Sequence, residues 1–194
     1  MRRMTRTVRT ACAIVAAGAL LAGCGLSDDT KDGDATVAGL NMQQAAERAD
    51  AMLYATVGAI KPEVEWVHST TTSGSCDVTR YWTVMTVISE QRRGNFLGVV
   101  DRFWQASGYK ITATHASKER PRLYAVSPDG FGISLVFGYK GQAFFEVTTP
   151  CVDESKVAVP TKVANGRTYD GDIPTPNVRS DFWSATTPAP ASST

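Results

Sequence analysis

The 194-residue chain reads as an α+β domain, an antiparallel sheet of about five or six strands with two helices packed on one face. Three observations predict it. Two stretches repeat apolar residues at intervals of three and four, six others are rich in β-branched and aromatic residues, and tight turns join most of those six, which forces antiparallel neighbours. Helices gathered on one face of such a sheet give a two-layer arrangement.

The elements follow in order. Asn41 is placed to cap a first helix in which Ala45, Ala49, Leu53, Val57 and Ile60 form a stripe, widened by Met52 and stopped by Pro62. VEWVHSTTT and RYWTVMTVIS, divided by the turn-prone SGSCD, predict two strands. Phe96, Leu97, Val99, Val100, Phe103 and Trp104 predict a second amphipathic helix within residues 92–107, ended by Gly108. YKITATHAS, PRLYAVS, FGISLVFGYK and QAFFEVTTP complete the strands, punctuated by KERP, SPDG and KG. In FGISLVFGY, Phe131, Ile133, Leu135, Phe137 and Tyr139 face one way, and Gly132, Ser134, Val136 and Gly138 the other. The adjacent pairs Tyr81–Trp82 and Phe144–Phe145 must point to opposite faces, so helices on one face leave some rings on the other.

The ends read differently. Arg2, Arg3, Arg6 and Arg9 precede a short apolar run, Ala11 to Ala22, which has the layout of a secretory signal. That run is too short for a spanning helix, which needs about 20 apolar residues. Leu21, Ala22, Gly23 and Cys24 resemble the lipobox of bacterial lipoproteins. The resemblance implies a signal peptide over 1–23, diacylglycerol on the Cys24 sulfur, cleavage before Cys24, and retention at the outer face of a membrane. Two acyl chains suffice for stable anchoring, at about 0.8 kcal/mol per buried methylene. Residues 24–40 then read as the lipidated cysteine and a flexible acidic tether, 41–162 as a single globular domain, and 163–194 as a mostly disordered tail rich in Pro, Ser and Thr. Phe182 and Trp183 are the exception in that tail, expected to dock on the domain or on a partner.

Removing the signal leaves sixteen Lys and Arg against nineteen acids, a net of −3, which gives no basic nucleic-acid surface. Cys12 leaves with the signal and Cys24 takes the lipid, so Cys76 and Cys151 remain. In an oxidising compartment two such cysteines pair, tying the turn after the first strand to the end of the last. A free nucleophilic thiol at Cys76 is the rival reading, with His68 or His115 as base and Asp77 or Asp101 as orienter. Glu63, Glu65, Glu90 and Glu146 could converge for carboxylate chemistry, but no pattern singles them out. SGSC lacks the second glycine of a nucleophile elbow, and DDTKDGD lacks the later Glu of a calcium loop. No metal, phosphate-loop or cofactor motif is present.

The sequence therefore predicts a lipid-anchored, extracytoplasmic binding module, non-catalytic, for an envelope protein partner or a small apolar ligand on the open sheet face. The alternatives are a hydrolase using Cys76, His68 or His115, and a structural envelope spacer.

Overall fold

A computed structural model describes residues 39–187. The signal, the lipobox cysteine, the tether up to residue 38 and the last residues, 188–194, lie outside the described residues.

The first helix, α1 (Met42–Gly58), starts as its sequence dictates. The Asn41 side chain accepts from the Gln44 N–H, and the Gln44 side chain accepts from the Asn41 N–H, a reciprocal capping box. Its apolar stripe, Ala45, Ala49, Leu53 and Val57, is buried. Strands β1 (Trp66–Ser73) and β2 (Val78–Val84) form a hairpin, followed by α2 (Glu90–Ala106). Strands β3 (Lys110–His115), β4 (Arg122–Val126), β5 (Gly132–Phe137) and β6 (Ala143–Thr148) complete the domain, so all six predicted strands form.

The sheet order is β1-β2-β6-β5-β4-β3, and every neighbouring pair is antiparallel. The last strand inserts between the first hairpin and the β3–β5 meander. Helix α1 packs against β2 and β6, and α2 against β3 and β4. Their shared core holds Trp82, Phe145, Leu135, Ile133 and Leu123 from the sheet with Leu53, Phe96 and Trp104 from the helices. The Trp104 indole N–H donates to the Thr56 hydroxyl, which in turn donates to the Met52 carbonyl, so both of these buried side-chain groups are satisfied.

Cys76 and Cys151 are bonded, with Cα atoms 4.8 Å apart. The bond joins the β1–β2 turn to the chain just after β6, as the two-cysteine count predicts. One inward residue is corrected: Tyr139 is 70% exposed rather than facing the core. The strand ends at Phe137, and residues 139–141 form a one-turn 3₁₀ helix in which Lys140 takes φ 53° and Gly141 φ 74°. The alternation of side chains cannot continue through such a turn.

After β6, residues 150–187 contain no long helix or strand, yet they are fixed to the domain at several points. The Met42 N–H donates to the Asp153 carbonyl, and the Val87 N–H to the Val178 carbonyl. Trp183 is fully buried, its indole N–H donating to the Pro62 carbonyl and its ring edge-on to Phe96 at 5.1 Å. Of the two expected docking places for Phe182 and Trp183, the domain is the one taken.

Candidate functional site: the two sides of the first hairpin

On the helix side of β2, Val78, Arg80, Trp82 and Val84 all point inward, and one of the four carries a charge. Arg80 meets Asp50 of α1, Nε to Oδ2 at 3.3 Å, with both side chains almost wholly shielded from solvent. Its other guanidinium nitrogens donate to the Thr71 hydroxyl at 2.6 Å and to the Ala158 carbonyl at 2.9 Å. One side chain thus joins α1, β1, β2 and the C-terminal segment. Burial pushes the Asp50 carboxyl above its usual range, partly countered by Arg80, by His68 and by the Trp82 indole. Burial likewise pushes Arg80 down, with Asp50 opposing.

His68 packs beside this pair. Trp66 and Trp82 stack with ring centroids 3.5 Å apart and planes 3° from parallel, and the His68 ring stands edge-on to both. Its Nε2 lies against the Lys162 carbonyl, which can only accept, so Nε2 carries a proton. Its Nδ1 is buried without a partner.

The C-terminal segment covers the outer edge of β1. The Asn165 side chain accepts from the Trp66 N–H and donates to the Val64 carbonyl, while the Gly166 N–H donates to the Trp66 carbonyl. Residue 166 must be glycine-sized, because a Cβ there would lie 2.9 Å from the Trp66 oxygen and 3.0 Å from Val67.

The other face of the sheet bears no helix. Residues 160–173 rise along its β1 side and leave a groove of about 1080 Å³. Phe144 and Val67 lie on the sheet side of the groove, and Tyr169 and Ile173 on the segment side, among Ser, Thr and Gln side chains and the charged Lys162, Arg167 and Asp172. Further along the same face, Tyr81 and Glu146 are directly opposite in the register. Burial, and then the Glu146 carboxylate, push the Tyr81 phenol up, so it stays a neutral hydroxyl.

The sequence candidates for catalysis are scattered. Cys76 is bonded to Cys151, so no thiol is free there. His68 sits on β1 and His115 at the end of β3, the two opposite edges of the sheet, with His115 edge-on to Tyr124. Asp101 accepts from Gln105 on the outer side of α2, Glu90 pairs with Lys118, and Glu63 accepts from Asn165. Glu146 stands apart from them on the uncovered face. Among the described residues no group of three or more His, Cys, Asp or Glu is placed to hold a metal, and no helix is long and apolar enough to cross a membrane.

Sequence reasoning missed the Asp50–Arg80 pair, although its signal was present. Asp50 falls in phase with Ala46, Leu53 and Val57, and Arg80 alternates with Val78, Trp82 and Val84. An acid and a base that each fall on a core-facing pattern are candidates to pair, although Arg92 of α2 is a second buried base.

No family model and no curated protein matches the chain. A solved structure of a DUF4853 family protein from Actinomyces odontolyticus ATCC 17982 is 9% identical, spanning 67% of this chain and 75% of its own, with a TM-score of 0.33. That likeness is too loose to carry fold or function.

Proposed function

We propose that the protein is a lipid-anchored, extracytoplasmic binding module without catalytic machinery, whose ligand lies on the helix-free face of the sheet. The lipobox-like tetrad ending in Cys24 supports the anchor. The observation behind the binding role is the groove between that face and residues 160–173. Small-ligand pockets are typically concave sites of about 300–1,000 Å³ that bury most of the ligand. This groove is at least as large, open along its length and lined by mixed polar and apolar groups. It favours an extended segment of an envelope protein over an enclosed apolar molecule, because an extended chain offers both backbone polar groups and side chains to such a lining.

Two measurements test this. Cys24→Ser should move the protein from the membrane to the soluble fraction and abolish the lipid mass on its N-terminal peptide; an unmodified cysteine in the wild-type protein would remove the anchor. A photo-crosslinking residue at position 144 should give discrete adducts in intact cells, whereas one at the exposed helix position Tyr54 should not. Equal adducts at both positions, or none at 144, would overturn the groove as the binding face.

A further inference from the structure

The helix-free face carries a charge that the fold leaves uncompensated. The register sets four residues in a row across it, one per strand. Tyr81 on β2 is opposite Glu146 on β6, Glu146 is opposite Ser134 on β5, and Ser134 is opposite Tyr124 on β4. With strands about 4.8 Å apart, Glu146 lies one spacing from Tyr81 and two spacings, roughly 10 Å, from Tyr124.

The Glu146 carboxylate is half-buried and enters no ion pair among the described residues; its hydrogen bond is with the Thr148 hydroxyl, at 3.5 Å. Arg122, a cation on the same face, is two strands over and one row along, since it pairs with Val136 and Val136 with Phe144. In the row on the other side, Gly132 stands opposite Thr148 and contributes no side chain. A depression of about 290 Å³ therefore opens beside Tyr124, Ser134, Glu146 and Thr148.

A neutral apolar group here would desolvate the carboxylate without pairing it, and an anion would be repelled. A primary ammonium satisfies every neighbour at once: it donates to the carboxylate and hydroxyl oxygens and is attracted to the ring faces. Phe144, which lines the groove, is two residues from Glu146 on the same strand and the same side, so groove and depression adjoin. An extended chain lying in the groove can drop one side chain onto Glu146.

We propose that Glu146, flanked by Tyr81 and Tyr124, is the docking point for the ammonium of a lysine side chain on the partner protein. The choice of lysine as its source rests on the binding-module reading above; the ammonium chemistry rests on the face itself.

The test uses the purified full chain with three probes: n-butylammonium, the peptide acetyl-Ala-Lys-Ala-amide, and the same peptide acetylated on the lysine nitrogen. Amide shifts followed by NMR should move at residues 134, 146 and 148 with the first two. Lysine acetylation should weaken binding roughly 3- to 10-fold, the size expected of a partly exposed ion pair with aromatic support. Glu146→Gln should erase that preference without changing the melting temperature, and raised salt should shrink it. Phe144→Ala should weaken both peptides alike and leave n-butylammonium unaffected. Equal binding of the two peptides, or a preference that survives Glu146→Gln, would overturn the ammonium site and leave the groove standing. Response to n-butylammonium with neither peptide bound would overturn the lysine source. An effect of Glu146→Gln with none from Phe144→Ala would retain the ammonium site and discard the groove.

Discussion

On the helix-covered side of the sheet, Asp50 reaches across to Arg80, whose other nitrogens donate to the Thr71 hydroxyl and the Ala158 carbonyl. On the uncovered side, Glu146 of β6 faces outward with a single hydroxyl for company. The two carboxylates differ in what water still does for them. Taking a charge out of solvent costs several kcal/mol, which only a counter-charge and good hydrogen bonds offset, so the interior admits Asp50 together with Arg80. At a half-wet surface that cost is small, and an unpaired acid can be retained for a partner outside the chain.

That contrast can be broken most forcefully from inside. Asp50→Ala removes the carboxyl that faces Arg80 Nε and leaves both a gap and a guanidinium nitrogen without an acceptor in the core, and should cost about 4 kcal/mol in chemical denaturation, whereas the double change Asp50→Leu with Arg80→Met should recover most of the loss. Failure of the double variant to recover would mean that the pair is needed for more than mutual neutralisation.

Next comes the segment that closes the covered side. Trp183→Ala removes a fully buried ring against Phe96 and the bond to the Pro62 carbonyl, and should cost about 3 kcal/mol. Limited proteolysis should then cut within residues 163–187, which the wild type should resist.

The pH dependence sharpens the comparison further. The folded pKa of Asp50 is raised above the ordinary 3.8. The folded state therefore takes up this proton before the unfolded chain does. Its contribution to stability is fully present below about 3.8 and is lost as the pH rises through the folded pKa. Relative to Asp50→Asn, the wild-type protein should gain stability on acidification across that window; a flat difference would contradict the assigned cause. The smallest effect belongs to the outer acid: Glu146→Gln should change stability by less than about 0.5 kcal/mol, as surface substitutions do.

The same contrast explains what the sequence discloses. Helix stripes, strand alternation and turn residues are local signals, and they locate both helices and all six strands. They also require one ring of each pair, Tyr81–Trp82 and Phe144–Phe145, to face away from the helices; it is the structure that turns Trp82 and Phe145 inward and leaves Tyr81 and Phe144 on the helix-free face. The disulfide follows from a count of two cysteines. Tyr139 breaks the pattern because a turn begins where the alternation still looked regular. The groove was not legible at all. Its outer wall is a segment without periodicity, whose Pro, Thr and Gly content reads as disorder, and whose attachment depends on residues such as Asn165 and Gly166 that meet β1 only in three dimensions. Glu146 was visible as one acid among four; only the strand register sets it between Tyr81 and Tyr124.

The hold of Asn165 and Gly166 on Trp66 has a consequence for the protein in company with its own copies. An edge strand with free N–H and C=O groups invites a strand from another molecule. Here both main-chain groups of Trp66 are already occupied from within. A chain shortened before residue 165 would leave that N–H and C=O open to a strand from another molecule.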